Sequence, residues 1–249
     1  LREGYSPSER DVAETITRIV AEAKGRVAIT TFASHVDRIA TSVRAARESG
    51  REVVVVGRAM RNTIEAARAC GYLKDAGRFL DEEEFGYLPT DKILLLCTGS
   101  QGEPRAAIAR IAEDQHPHVS LEPGDVVIFS SKTIPGNEKE VARIHNNLAR
   151  LDIDIITSDE ALVHSSGHPR QGELKELYSW LKPAALVPMH GEPRHLRAHA
   201  AFGRECGIED VVIPRDGHIL KLCPGPTREV DEAPFGRLRA ILHEHLRAV

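Results

Sequence analysis

Short runs of strand length, apolar at 53–56, 93–97 and 126–129 and apolar up to two closing threonines at 27–31, punctuate the chain with stretches of helical period between them. A strand that faces water on one side alternates polar with apolar residues. One that is apolar throughout is covered on both sides, as in a parallel sheet sandwiched by helices. The first helix is announced by Ser6-Pro7-Ser8-Glu9, with Ser6 as cap candidate, proline at the first helical position and an acidic first turn. Val12, Ile16, Ile19, Val20 and Ala23 then share one face, and Gly25 ends it. Further helices are expected at about 34–49, 62–69, 104–113, 138–150, 171–181 and from His190 to about 206, and further strands at 153–156, 185–187, 211–213 and 218–222. The acidic run Asp81-Glu82-Glu83-Glu84 reads as a solvated loop, the proline-rich stretch 225–234 as a linker, and 238–246 as a short helix. The fold class is α/β, a mostly parallel, Rossmann-like sheet with helices on both faces.

Composition narrows the partners. With 249 residues, one large domain or two small ones are expected, and a hydrophobic share of 41% excludes bulk disorder. No apolar run approaches the ~20 residues of a membrane span. The net charge is −4, whereas proteins that hold nucleic acid by bulk electrostatics carry a basic excess. Phosphate binding therefore has to come from a local site of backbone N–H groups, hydroxyls and a few cations. Cys70, Cys97, Cys206 and Cys223 form no C-x-x-C pair, and Cys97 reads as a small buried hydrophobe. A reducing, cytoplasmic setting is expected, with no membrane partner. A start at Leu1 rather than Met is expected of a piece of a longer chain.

In open parallel α/β sheets, ligands bind beyond the carboxyl ends of the strands. The loops there read Thr31-Phe32-Ala33-Ser34, Gly57-Arg58, 98–104 (TGSQGEP), 130–138 (SSKTIPGNE), His164-Ser165-Ser166-Gly167-His168 and Met189-His190-Gly191-Glu192. Glycine lets backbone N–H groups approach a ligand, hydroxyls donate, and a following helix adds its positive end, a combination that suits phosphate. Each loop alone is weak: 98–104 lacks the Gly-Lys-Ser/Thr of a Walker A motif, and a serine placed like Ser34 or Ser100 is more often a plain helix cap than a ligand-binding group. Lys132, Arg58 and Arg170 are the nearest basic candidates. Among the histidines, His168 and His190 stand out, each between a strand and a helix, where imidazole can ligate metal, bind phosphate or move a proton. Two histidines do not complete a catalytic zinc site, and neither H-x-H-x-D-H nor H-E-x-x-H occurs.

Taken together and in this order, these loops, with Gly57-Arg58-Ala59-Met60, 134–138 (IPGNE), Ser166-Gly167-His168 and 188–192 (PMHGE), resemble the β-CASP half of bacterial ribonuclease J nucleases. The resemblance spans about 6–222. It implies a β-CASP domain at 1–163, a returning C-terminal segment of the metallo-β-lactamase domain at 164–223, and a linker with the start of a further region at 224–249. It further implies a zinc-dependent ribonuclease, exo- and/or endonucleolytic, with two Zn²⁺ in the full-length parent. His168 then falls on the residue at the scissile phosphate and His190 on a zinc ligand. Ser34, Ser100, His164, Ser166, Gly167 and His168 fall around the pocket for RNA or a terminal phosphate. The implied partners are RNA, a metallo-β-lactamase half that precedes this chain, and a second copy in a homodimer of the parent. With one zinc ligand the chain is expected to be inactive by itself. Two alternatives stay open: a self-standing nucleotide- or phosphate-binding module, and an interaction domain whose Ala/Arg-rich helices oligomerise.

Overall fold

Five strands of three to five residues, β1 (Val27–Thr30), β2 (Glu52–Val56), β3 (Ile93–Cys97), β4 (Val126–Phe129) and β5 (Asp154–Ile156), form a wholly parallel sheet in the order β2-β3-β1-β4-β5. The computed structural model describes residues 2–236, 238–240 and 246–248. It divides into two compact units, Pro7–Gly167 and the pair Leu1–Ser6 with His168–Val249.

In the first unit the sheet is covered on both faces, as the unbroken apolar runs require. Val27, Ile29, Val53, Val55, Leu94, Leu96 and Ile128 point to one face, under α1 (Glu9–Glu22), α2 (Val36–Glu48) and α3 (Arg58–Ala69). Ala28, Val54, Val56, Leu95, Cys97, Val127 and Phe129 point to the other, under α4 (Ala107–Ala112) and α5 (Glu138–Arg150). Cys97 is fully buried, and that burial pushes its thiol pKa up to about 12, as expected of a core residue with no thiolate chemistry.

Boundaries shift where caps outcompete propensity. α1 starts at Glu9 rather than at Pro7 because Ser8 and Asp11 form a capping box, whereas Glu9, the residue placed to make one with Ser6, gives its carboxylate to Arg38. α2 is capped by His35 instead of Ser34. The acidic run is a 3₁₀ turn, Glu82–Tyr87, capped by Asp81 and Glu84. Arg61 binds Asp81 and Glu82, Arg78 binds Glu84 at 2.6 Å, and Phe85 is buried beneath. The solvated-loop reading missed Phe85, which anchors the turn to the core.

The second unit holds α6 (Gln171–Leu181), β6 (Ala185–Leu186), α7 (Pro193–Glu205) and β7 (Asp210–Val211), with β6 and β7 parallel. Leu174, Tyr178, Phe202 and Ile208 form its small core. β8 (His218–Lys221) pairs antiparallel with β9 (Arg228–Glu232), so the stretch expected as a linker carries a strand of a hairpin. The helix expected at 238–246 is also replaced: β10 (Leu238–Ala240) pairs antiparallel with β11 (Leu246–Ala248), and 241–245 lie outside the described residues. Among the described residues no helix is long and apolar enough to cross a membrane.

Candidate functional site

At the carboxyl edge of the five-stranded sheet, the chain leaves β1 toward α2 on one face and leaves β4 toward α5 on the other. Adjacent strands with diverging connections open a crevice, the usual ligand position in such folds. Here Arg38 fills it. The side chain is 0% exposed; Nη1 donates to the carbonyls of Ser130 at 3.3 Å and Val163 at 2.7 Å and also contacts Ser130 Oγ, while Nη2 donates to Glu9 at 2.7 Å. Ser130 Oγ in turn donates to Val163 O at 2.8 Å, and Thr31 Oγ1 to Ser130 O at 3.4 Å.

The neighbouring loops are stitched to each other. Gln101 donates through Nε2 to Lys132 O at 3.0 Å and Ser131 Oγ at 3.3 Å, and its Oε1 accepts from Ile134 N at 2.9 Å. Ser100 is 2% exposed and its carbonyl accepts from Ser131 Oγ at 3.5 Å. Gly99 and Gly102 have positive φ, and a Cβ there would lie 2.6 Å from Ala106 Cβ and 2.6 Å from Glu140 Cβ respectively. These glycines let the loop lie against α4 and α5. In the arrangement seen here, their role is packing of the loop.

What faces outward is a different set. Exposed Ser34 lines an open depression of about 490 Å³ with Phe32, His35, Val36, Asp37 and Tyr72. His35 Nδ1 accepts from Arg38 N at 3.3 Å and its Nε2 lies 3.6 Å from Glu9. Ser166 and Gly167 are exposed, and Ser165 Oγ donates to Pro7 O at 2.6 Å. His164, half-buried beside them, has a buried Nδ1 without a hydrogen-bond partner among the described residues. Burial pulls its pKa below the ordinary histidine value, and the charges of Arg38, His35 and Lys132 add to this against Glu9.

His116, His145 and His199 are lowered as well, each first by burial. A histidine with a depressed folded pKa takes up its proton more readily when unfolded, so its stabilisation is complete above the unfolded pKa and declines as pH falls below it. Resistance to urea should therefore drop as pH is lowered through about 6.5. Urea midpoints at about pH 7.5 and about pH 5.5 read this directly, and equal midpoints would contradict it.

In the second unit, His168 and His190 come together. Their rings stack with centroids 6.2 Å apart and planes within 21°. His190 follows β6 in the left-handed region, φ 61°, just ahead of α7, whose first residue is Pro193 and whose cap is Glu192. His168 lies ahead of α6, and both side chains are exposed. Among the described residues no three His, Cys, Asp or Glu side chains are grouped to hold a metal ion. Two imidazoles alone do not fit a complete zinc centre, which takes three or four protein ligands.

Sequence reasoning missed Arg38, Glu9 and His35. The available signal was position: Arg38 falls on the buried stripe of α2 with Ile39, Ser42, Ala45 and Ala46, where a cation has to be bonded to something.

Two family models match this chain: "Ribonuclease J, beta-CASP domain" over residues 24–148 and "Zn-dependent metallo-hydrolase RNA specificity domain" over 152–214. A ribonuclease J of Sinorhizobium meliloti is 52% identical over 96% of this chain and 42% of its own length. Those of Corynebacterium glutamicum and Thermus thermophilus are 39% and 38% identical, over 94% and 95% of this chain and 33% and 42% of their own lengths. The chain thus spans between a third and about two fifths of these relatives. With one family model covering half of its residues and the second continuing from 152, the chain belongs to the ribonuclease J family.

Proposed function

We propose that this chain is the RNA-binding portion of a zinc-dependent ribonuclease that hydrolyses RNA phosphodiesters, exo- and/or endonucleolytically, in RNA maturation and decay in the cytoplasm. Residues 1–163 are the β-CASP domain, 164–223 the returning segment of the metallo-β-lactamase domain, and 224–249 the region leading out of it. The observation that carries this reading is the stacked pair His168 and His190 without a third grouped ligand among the described residues. Two stacked imidazoles suit one edge of a metal nuclease site, and in this reading the chain is inactive by itself.

In this reading His190 is a metal ligand, and His168 stands at the scissile phosphate, where an imidazole can donate a proton to a phosphate or leaving oxygen. Ser34, His164, Ser166 and Gly167 bind the 5′ phosphate and its neighbours, with neutral His164 offering an N–H as well as hydroxyl and backbone donors. Ser100, buried beneath, supports that edge through its carbonyl. The partners are RNA, the metallo-β-lactamase half that supplies the remaining ligands, and a second copy in the parent. The bonded, self-supporting carboxyl edge of the first unit also favours a second reading, a nucleotide- or phosphate-binding module without hydrolysis. Calorimetry with uridine 5′-monophosphate and uridine tests the feature both share. Binding of the phosphorylated compound alone is expected; equal binding of the two, or of neither, contradicts phosphate recognition by this chain.

A further inference from the structure

Burying a guanidinium is costly unless its donors are bonded, so a fully buried arginine marks a place where several backbone groups must be held at once. Two buried arginines serve opposite ends of the five-stranded sheet. Arg51, 7% exposed, donates to Gly25 O at 2.7 Å, Ala23 O at 2.6 Å and Ile93 O at 3.2 Å, tying the amino ends of β1 and β3. No candidate site residue lies there. Arg38 does the same at the carboxyl end, but one of its acceptors is Val163 O, the last carbonyl before His164-Ser165-Ser166-Gly167.

Two further attachments of that segment's start meet Arg38 or lie close to its partners. Ser130 Oγ bonds both Arg38 and Val163 O. Glu9, which takes the other Arg38 nitrogen, lies two residues from Pro7, whose carbonyl accepts from Ser165 Oγ. The crevice where an open α/β sheet would take a ligand is thus occupied by a side chain that fixes the next loop instead. Resting on the phosphate-binding role proposed above, we infer that Arg38 is a positioning residue: it pins Val163 so that the hydroxyl and backbone donors of 164–167 are preorganised for a phosphate. Arg38 touches no ligand itself. Lysine has one nitrogen and a shorter reach, so it keeps the charge but cannot span Ser130, Val163 and Glu9 together.

The test compares Arg38→Lys, Ser130→Ala and, as a control, Arg51→Lys in the 249-residue chain. Each is read by calorimetry with uridine 5′-monophosphate and by hydrogen exchange of the 164–167 amides, after circular dichroism has shown a folded protein. Arg38→Lys is expected to weaken binding roughly tenfold and to speed exchange at 164–167, since charged hydrogen bonds are lost at that step. Ser130→Ala moves both in the same direction by less, and it decides the matter if Arg38→Lys does not fold. Arg51→Lys lowers stability while leaving affinity unchanged. Wild-type affinity and exchange in a folded Arg38→Lys or Ser130→Ala protein would overturn the inference, as would an equal loss of affinity in Arg51→Lys. If the unsubstituted chain binds no nucleotide, the phosphate-binding reading fails separately. Exchange at 164–167 then still decides whether Arg38 positions the segment: faster supports it, unchanged overturns it.

Discussion

Changing His168 to alanine in the full-length protein is expected to lower RNA hydrolysis about 10²–10⁴-fold, the loss typical for removal of a positioned proton donor. The proposed role sets the size of this effect, and the surroundings make it readable. His168 is exposed and outside the hydrophobic clusters, so the substitution opens no cavity and should leave unfolding nearly unchanged. If His168 acts on the reacting phosphate, kcat falls while RNA affinity changes little. A loss confined to affinity would make it a binding residue only, and a rate within a few fold of wild type would remove it from the site. Single-turnover cleavage at saturating enzyme separates these outcomes.

Gly102→Val is expected to give the largest loss of stability of any loop substitution at the carboxyl edge. Gly102 sits at φ 82°, where an L side chain is strained, and its Cβ would lie 2.6 Å from Glu140 Cβ, 2.8 Å from Glu140 C and 2.9 Å from Val141 N. Two of those atoms are helix backbone, which cannot step aside without moving α5. Overpacking and left-handed strain together predict a cost of about 3 kcal/mol. Thermal unfolding would show a fall in Tm of roughly 6–12 °C. The same change at Gly136, where φ is 101° but nothing lies within 4 Å of the added Cβ, carries the strain without the clash and should cost clearly less. Equal costs at the two sites would show that the close approach of loop and helix contributes nothing.

How much of this was legible in the sequence differs between strands, caps and site. The runs Val53–Val56 and Ile93–Cys97 admit little but doubly covered parallel strands, and they form them. Local electrostatics were harder to read. Asp81 to Glu84 looks like a charge run destined for water, yet a capping box, Arg61 and Arg78 fold it into a turn over Phe85. The 225–234 stretch has the prolines of a linker, but the backbone of Arg228–Glu232 found a partner in β8, a hairpin pairing that composition alone does not announce. At the site, order along the chain placed Ser34, Ser166, Gly167, His168 and His190 on loops, where the structure has them. It did not reveal that the glycines of 98–104 serve packing or that Ser100 is buried. Nor could it show that a buried Arg38 occupies the crevice, because each of these depends on which loops face one another across the sheet edge.

In the role proposed for it, this chain recognises RNA at its 5′ phosphate but holds too little of the metal site to cut it. Incubating the 249-residue chain with Zn²⁺ and labelled 5′-monophosphorylated RNA, then running the mixture on a native and a denaturing gel, tests it most directly. The predicted result is RNA that migrates as a complex on the first gel and is recovered intact on the second. Degradation that His190→Ala abolishes would contradict the account, since the chain would then carry a complete catalytic centre.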